Sequence, residues 1–139
     1  MITLYTGGTF DLFHYGHVSF LKKCASISDR VVVGLNTDDF VERFKRKPIM
    51  SFKERALSLQ ECRYVDEVVE NTYGENSKPT ILEVNPDIIA IGSDWATKDY
   101  YKQMDFDQEW LDCNGIMMIY IPYNRDISTT KIKNRIQDV

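Results

Sequence analysis

Histidine and cysteine are scarce in this chain, and their scarcity excludes several classes of site. The 139 residues include only two histidines and three cysteines. Cys24, Cys62 and Cys113 are scattered and form no CxxC pair, so neither a disulfide framework nor a zinc cage is predicted. We expect reduced thiols and a cytoplasmic protein.

An excess of basic residues and a long apolar run are also missing. The net charge is -4 and the isoelectric point is about 5.2, which argues against a general nucleic-acid binder. No apolar stretch is as long as a membrane span. The sequence also lacks the basic start and following apolar run that would indicate a signal peptide. Without repeats or a linker, residues 1–139 are predicted to form one domain.

Both histidines lie in one short segment near the start of the chain. A run rich in β-branched and aromatic residues, residues 2–5, leads into Gly7-Gly8, and His14-Tyr15-Gly16-His17 follows before an amphipathic stretch. This pattern predicts a strand, a tight loop and a helix. Glycines let backbone N–H groups approach a ligand, the helix start favours anions, and imidazoles donate to phosphate oxygens. An ordinary strand-to-helix loop is the alternative.

The remainder of the chain alternates between strand and helix patterns. The predicted strands are, approximately, residues 2–5, 30–35, 64–69, 87–91 and 116–121. The predicted helices are, approximately, residues 17–26, a short one after 36–39, then 52–61, 80–84, 103–114 and one from 128. Such alternation predicts an α/β fold, a Rossmann-like three-layer sandwich with a five-stranded parallel sheet. Ligands bind at the carboxyl ends of such strands.

Three further segments resemble one family. The glycine and histidine segment resembles the HxGH nucleotidyltransferase superfamily. Residues 63–69 (RYVDEVV) and 127–133 (ISTTKIK) resemble segments of its cytidylyltransferases, and Gly92-Ser93-Asp94-Trp95 resembles a G-x-D-W turn of the bacterial glycerol-3-phosphate cytidylyltransferases. The resemblance extends from Tyr5 to Lys133 and agrees with the predicted fold.

The resemblance implies transfer of CMP from CTP to sn-glycerol 3-phosphate, which gives CDP-glycerol and pyrophosphate. It also implies Mg²⁺ bound through the triphosphate, and a homodimer. The implied catalytic residues are His14, His17, Lys45, Arg46 and Lys47. The implied nucleotide-binding residues are Gly8, Thr9, Phe10, Asp11, Gly16, Arg63, Gly92, Asp94, Trp95, Arg125, Ile127, Ser128, Thr129 and Thr130. The implied substrate-binding residues are Asp38 and Arg55, and no metal ligand is implied.

Simpler structural roles compete with several of these assignments. Ser128 can be a plain helix cap rather than part of a triphosphate cradle. Arg55 and Arg63 can lie on solvated faces. Trp95 can be a packing residue rather than a wall for the base. Asp11 and Asp94 can serve metal, ribose or supporting roles.

The chain departs from the family pattern at two places. Tyr123 stands where the family has an arginine, and Asp126 replaces a glycine. Our hypothesis is that Arg125 supplies the missing cation. In the basic segment, Phe44 occupies a position where lysine is common. Phosphoethanolamine or phosphocholine cytidylyltransferases, adenylyltransferases and a non-catalytic nucleotide-binding relative are therefore alternative functions.

Overall fold

One parallel sheet of five strands organises the part of the chain that the structure describes. The computed structural model describes residues 1–39, 41, 47–71, 76–92, 105–122 and 126–139. The strands are β1 (Thr3–Gly8), β2 (Arg30–Asn36), β3 (Glu67–Asn71), β4 (Ile88–Gly92) and β5 (Met117–Ile121). The helices are α1 (Tyr15–Ser26), α2 (Phe52–Gln60), α3 (Lys78–Val84), α4 (Gln108–Cys113) and α5 (Thr129–Gln137). The strand order is β3-β2-β1-β4-β5, and every pair is parallel.

Apolar residues cover both faces of the sheet. Leu4 and Val33 point into one cluster with Leu21 of α1 and Leu59 of α2. Tyr5 and its neighbours on the other face pack in a second cluster, which includes residues of α3 and α4. Central strands buried on both faces need continuous apolar runs, as Val31-Val32-Val33 provides. The predicted α/β sandwich with a five-stranded parallel sheet is confirmed.

Several predicted boundaries were wrong, and local hydrogen bonds explain the shifts. The third strand begins at Glu67 rather than residue 64, because Val65 N donates to Cys62 O and closes a turn first. Helix α4 begins at Gln108 rather than residue 103. The Asp107 side chain accepts from Trp110 N at 2.9 Å and caps the helix there, after Asp105 adopts a left-handed φ of 58°.

The strand order places a switch point beside the first strand. From β1 the chain moves outward through β2 to β3, then returns to the other side of β1 for β4 and β5. Connections at the carboxyl ends of β1 and β4 therefore lead away from each other and leave a crevice. The segment with both histidines directly follows β1, so it lies at this crevice.

Three aspartates tie the opposite, amino edge of the sheet. Asp29 accepts from Ile2 N at 2.7 Å, Asp87 accepts from Thr3 N at 2.9 Å, and Asp66 accepts from Val31 N at 2.7 Å. Strand starts present backbone N–H groups that need acceptors. The three aspartate carboxylates are those acceptors at the amino edge.

Within the described residues, no helix is both long and apolar enough to span a membrane.

Tyr5 lies across a glycine on the neighbouring strand. A Cβ at Gly34 would lie 2.0 Å from the Tyr5 hydroxyl oxygen, so only glycine leaves room for the ring. Tyr5 is fully buried, and burial raises the pKa of its hydroxyl. Among the described residues its hydroxyl has no hydrogen-bond partner. The ring therefore contributes packing, while the hydroxyl adds an uncompensated desolvation cost.

This arrangement predicts opposite outcomes for two small substitutions. Gly34→Ala should lower the free energy of unfolding by about 1–3 kcal/mol, because the new methyl group overpacks the site. Tyr5→Phe should leave it unchanged or raise it, because an unpaired buried hydroxyl is removed. Urea denaturation of both variants measures these differences. A Tyr5→Phe variant destabilised as strongly as Gly34→Ala would contradict the packing argument.

Candidate active site

The two histidines cap the first helix reciprocally. His14 is the N-cap of α1, and its Nδ1 accepts from Gly16 N at 3.1 Å. His17 lies three residues on, and its Nδ1 accepts from His14 N at 3.2 Å. This is the capping-box arrangement with imidazoles in place of the usual hydroxyl and carboxylate. The helix therefore begins at Tyr15, two residues before the predicted start, because the histidine side chains cap its amino end there.

The cap also fixes the protonation of both rings. Since each Nδ1 accepts a backbone N–H, each neutral imidazole must carry its proton on Nε2. The pKa of His17 is lowered to about 3, chiefly by burial and secondarily by a charge on His14, while Asp11 opposes the shift. Burial also lowers the pKa of His14. The rings stack with centroids 3.8 Å apart. At neutral pH the pair thus offers two uncharged Nε2–H donors.

Two glycines allow the loop to fold closely around these rings. A Cβ at Gly16 would lie 2.9 Å from His14 Cε1 and 3.0 Å from Ile127 Cγ2. A Cβ at Gly8 would lie 2.8 Å from the ring of Phe10. Phe10 itself has a left-handed φ of 52°, and its ring packs against His17 with centroids 5.3 Å apart. The structure leaves little room for a Cβ at either position, and the predicted nucleotide contact of both glycines stays a prediction.

The last helix begins against the same loop. Ser128 is the N-cap of α5, and its Oγ accepts from Lys131 N at 3.0 Å. Thr129 Oγ1 donates to the backbone oxygen of Asp11 at 2.8 Å, and Ile127 is buried. Thr130 is exposed. The structure thus brings the segment 127–130 to the histidine loop, as predicted, although Ser128 and Thr129 both have protein partners there.

Asp11 joins the histidine loop to a segment that precedes α2. Its Oδ2 accepts from Ile49 N at 2.9 Å, and its Oδ1 accepts from Met50 N at 2.9 Å and from Leu12 N at 3.1 Å. Asp11 is 7% exposed. Its carboxylate therefore supports the loop, and a direct nucleotide contact stays a prediction.

Arg55 lies inside the protein rather than on a solvated face. Its Nε donates to Met50 O at 3.1 Å, and its Nη1 donates to Thr9 O at 2.9 Å and Asn36 O at 3.0 Å. Its Nη2 forms an ion pair with Asp38 at 2.6 Å. Arg55 is fully buried. The two residues predicted to bind the acceptor thus pair with each other, and their contact with the acceptor stays a prediction.

The remaining predicted residues are not joined to this cluster by described contacts. Arg63 is exposed and lines a groove together with Phe13 and Val18. Gly92 ends β4 at the carboxyl edge, and Lys47 is exposed. Lys45, Arg46, Asp94, Trp95 and Arg125 lie outside the described residues.

The sequence analysis missed one residue of the cluster. Asn36 ends β2, donates from its side chain to Thr9 Oγ1 at 3.3 Å, and accepts from Asn71 of β3 at 3.2 Å. The sequence analysis placed it only in the segment before a short predicted helix. Its position at the end of a predicted apolar strand was the available signal, because polar side chains there face the carboxyl edge.

This geometry suits an anion better than a metal ion. The loop offers two imidazole N–H groups and the start of a 12-residue helix, whose dipole favours negative charge. Neutral donors of fixed tautomer stabilise charge that develops on a phosphate without reorganising. Among the described residues, no group of three or more His, Cys, Asp or Glu side chains is placed to hold a metal.

The cap predicts a specific dependence of stability on pH. The folded-state pKa of His17 lies below its unfolded value near 6.5, so its contribution is complete above about pH 6.5 and is lost as the pH falls towards 3. The slope from one such group is at most about 1.4 kcal/mol per pH unit. His17→Gln keeps a capping side chain that does not titrate.

Urea denaturation of the wild-type protein and of His17→Gln at several pH values between 7 and 4 measures this contribution. All other titratable groups are common to the two proteins, so their effects cancel in the comparison. The wild-type protein should lose more stability on acidification than His17→Gln. Equal losses would show that protonation of His17 does not oppose the fold.

Comparisons with known proteins agree with the geometry. The profile of the cytidylyltransferase-like family matches residues 5–135. A glycerol-3-phosphate cytidylyltransferase of Bacillus subtilis is 37% identical over 131 residues, covering 94% of each chain. An ethanolamine-phosphate cytidylyltransferase of Arabidopsis thaliana is 35% identical over 96% of this chain, which corresponds to 32% of the plant protein. An FAD synthase of Thermococcus sibiricus is 36% identical over 99% of this chain and 92% of its own.

A solved structure shares the fold. A lipopolysaccharide core biosynthesis protein from Thermoplasma volcanium superposes with a TM-score of 0.73 and 27% identity, covering 89% of this chain and 97% of its own. The family match covers nearly the whole chain, including both histidines and the start of α5. The chain is a member of the cytidylyltransferase-like family, with cytidylyltransferase activity as the function its relatives support.

Proposed function

We propose that this protein transfers CMP from CTP to sn-glycerol 3-phosphate and releases pyrophosphate. The observation that carries the proposal is the reciprocal histidine cap, which presents two neutral Nε2–H donors at the start of α1. Similarity to the bacterial glycerol-3-phosphate enzymes over nearly the full length supports glycerol phosphate as the acceptor. We also propose that the protein is cytoplasmic, as its scattered cysteines indicate, and that it forms a homodimer, as its resemblance implies.

In this proposal the reaction is a direct displacement. A phosphate oxygen of the acceptor attacks the α-phosphorus of CTP, and the bond from that phosphorus to the bridging oxygen of pyrophosphate breaks. The attacking oxygen is already anionic near neutral pH, so no general base is needed. His14 and His17 donate to oxygens around the α-phosphate as charge redistributes, and Lys45, Arg46 and Lys47 neutralise the phosphates. Catalysis is then positioning and charge stabilisation.

Mg²⁺ enters the proposal through the nucleotide. The donors around the histidine loop are N–H groups, which suit phosphate oxygens, and each oxygen of Asp11 already accepts a backbone N–H. A bound Mg²⁺ would be coordinated by oxygens of the triphosphate and would offset their charge. The residues of this chain would bind and orient that nucleotide.

A screen for pyrophosphate release tests the function. CTP, ATP, GTP and UTP are each combined with glycerol 3-phosphate, phosphoethanolamine, phosphocholine and FMN. The highest kcat/KM should be for CTP with glycerol 3-phosphate. Preference for phosphoethanolamine would favour the alternative that the Arabidopsis relative suggests. ATP with FMN tests the alternative suggested by the FAD synthase, since transfer of AMP from ATP to FMN gives FAD and releases pyrophosphate. Nucleotide binding without turnover would contradict the proposed enzymatic activity.

The histidine donors predict a large kinetic effect. His14→Asn keeps an oxygen at the N-cap, where asparagine is favoured, but lacks the imidazole N–H. Its kcat should fall by about 10²–10³, the loss typical of one preorganised donor to a transition state. Thermal unfolding serves as the control for the fold. A kcat within a few-fold of wild type would remove His14 from the proposed mechanism.

A further inference from the structure

Two oppositely charged side chains hold a short segment that leads from Lys47 to the start of α2. We call residues 47–50 the strap. Its backbone N–H groups at Ile49 and Met50 donate to the Asp11 carboxylate at 2.9 Å each. Its carbonyl at Met50 accepts from Arg55 Nε at 3.1 Å. A negative and a positive side chain therefore hold neighbouring backbone groups of the same segment.

These contacts close a ring with the histidine loop. Arg55 donates to Thr9 O at 2.9 Å, and Thr9 is two residues before Asp11. The ring thus runs from Asp11 through the strap to Arg55 and back through Thr9. Hydrogen bonds to charged groups are worth about 1.5–3 kcal/mol each, and removal of one buried partner leaves the other unpaired. A closed ring of such bonds fixes both the position and the direction of the strap.

The strap begins with the one basic residue of its segment that the structure describes. Lys47 is exposed and lies two residues from Ile49, whose N–H is bound by Asp11. The same Asp11 is three residues from His14, and its backbone oxygen accepts from Thr129 at 2.8 Å. One residue therefore sets the relative placement of the histidines, the start of α5 and Lys47.

We propose that Asp11 is a positioning residue that acts on nucleotidyl transfer through the strap and Lys47. The proposal rests on the proposed function, because it assigns Lys47 a place among the phosphate-binding cations. Asp11 needs no contact with the nucleotide for this role, since its carboxylate is largely occupied by backbone donors. Misplacement of a catalytic group by about 1 Å can cost on the order of 10²-fold in rate.

A double-mutant cycle separates this role from simple stabilisation. In Asp11→Asn, an amide NH₂ group replaces one carboxylate oxygen. This group cannot accept a hydrogen bond from a backbone N–H, so the strap loses one of its hydrogen bonds to residue 11. We expect Asp11→Asn and Lys47→Ala each to lower kcat/KM for CTP at least tenfold. If Asp11 acts through Lys47, the double variant should fall little further than the more impaired single variant.

Asp29→Asn is the matched control. Asp29 also accepts a backbone N–H, from Ile2 at 2.7 Å, but it lies at the amino edge of the sheet. This variant should keep the wild-type kcat/KM even where its thermal unfolding temperature falls as far as that of Asp11→Asn. If Asp11→Asn does not fold at the assay temperature, Asp11→Glu replaces it in the cycle, because it keeps the charge but displaces the strap outward.

The outcomes are distinct. Effects of Asp11→Asn and Lys47→Ala that multiply in the double variant would overturn the proposal, and so would a Lys47→Ala variant with wild-type kinetics. Either result would leave the proposed function intact, because the wild-type enzyme would still turn over CTP. Absence of turnover by the wild-type protein with every nucleotide and acceptor would instead refute the proposed function itself.

Discussion

The site depends on the pair of hydrogen bonds by which the side chains of His14 and His17 cap the start of α1. Because the Nδ1 atoms are committed to backbone N–H groups, the tautomer and direction of both rings follow from the helix itself. The His14 ring in this position, together with Ile127, leaves little room for a Cβ at Gly16. Helix capping and ligand chemistry thus use the same two side chains, so selection on one acts on the other.

Charged groups form a second level of support behind this cap. Arg55, fully buried, donates to carbonyls at the ends of two strands and to the strap, while Asp11 accepts from the strap and from its own loop. Burial of unpaired charges costs several kcal/mol, and hydrogen bonding to backbone groups of fixed position offsets that cost. Loops that would otherwise be mobile at the carboxyl edge are thereby held against the sheet.

The fold could be predicted from the sequence to a large extent, because its signals are local. The run Val31-Val32-Val33 and the capping box at Ser51 and Glu54 each specify an element within a few residues. Boundaries were less accurate where a local hydrogen bond sets them, as the bond from Val65 N to Cys62 O does before β3.

The site was predictable only in part, because many of its contacts join residues that are distant in the sequence. The sequence already placed His14 and His17 together at a helix start, because their spacing is itself the signal. The contacts of Arg55 were not found, because its partners Thr9 and Asn36 are 46 and 19 residues away in the sequence. A single sequence shows that a residue is charged, but the burial that decides its role arises only from packing.

The contact between Asp11 and Thr129 joins residues 118 positions apart in the sequence. During synthesis, the histidine loop leaves the ribosome long before α5 exists to close it. Strand β5 ends at Ile121, so a chain truncated soon after that residue would retain all five strands of the sheet. Such a chain would lack Ile127 against Gly16 and Thr129 against Asp11. Completion of the sheet and completion of the site are therefore separate events, and the second awaits the segment at the start of α5.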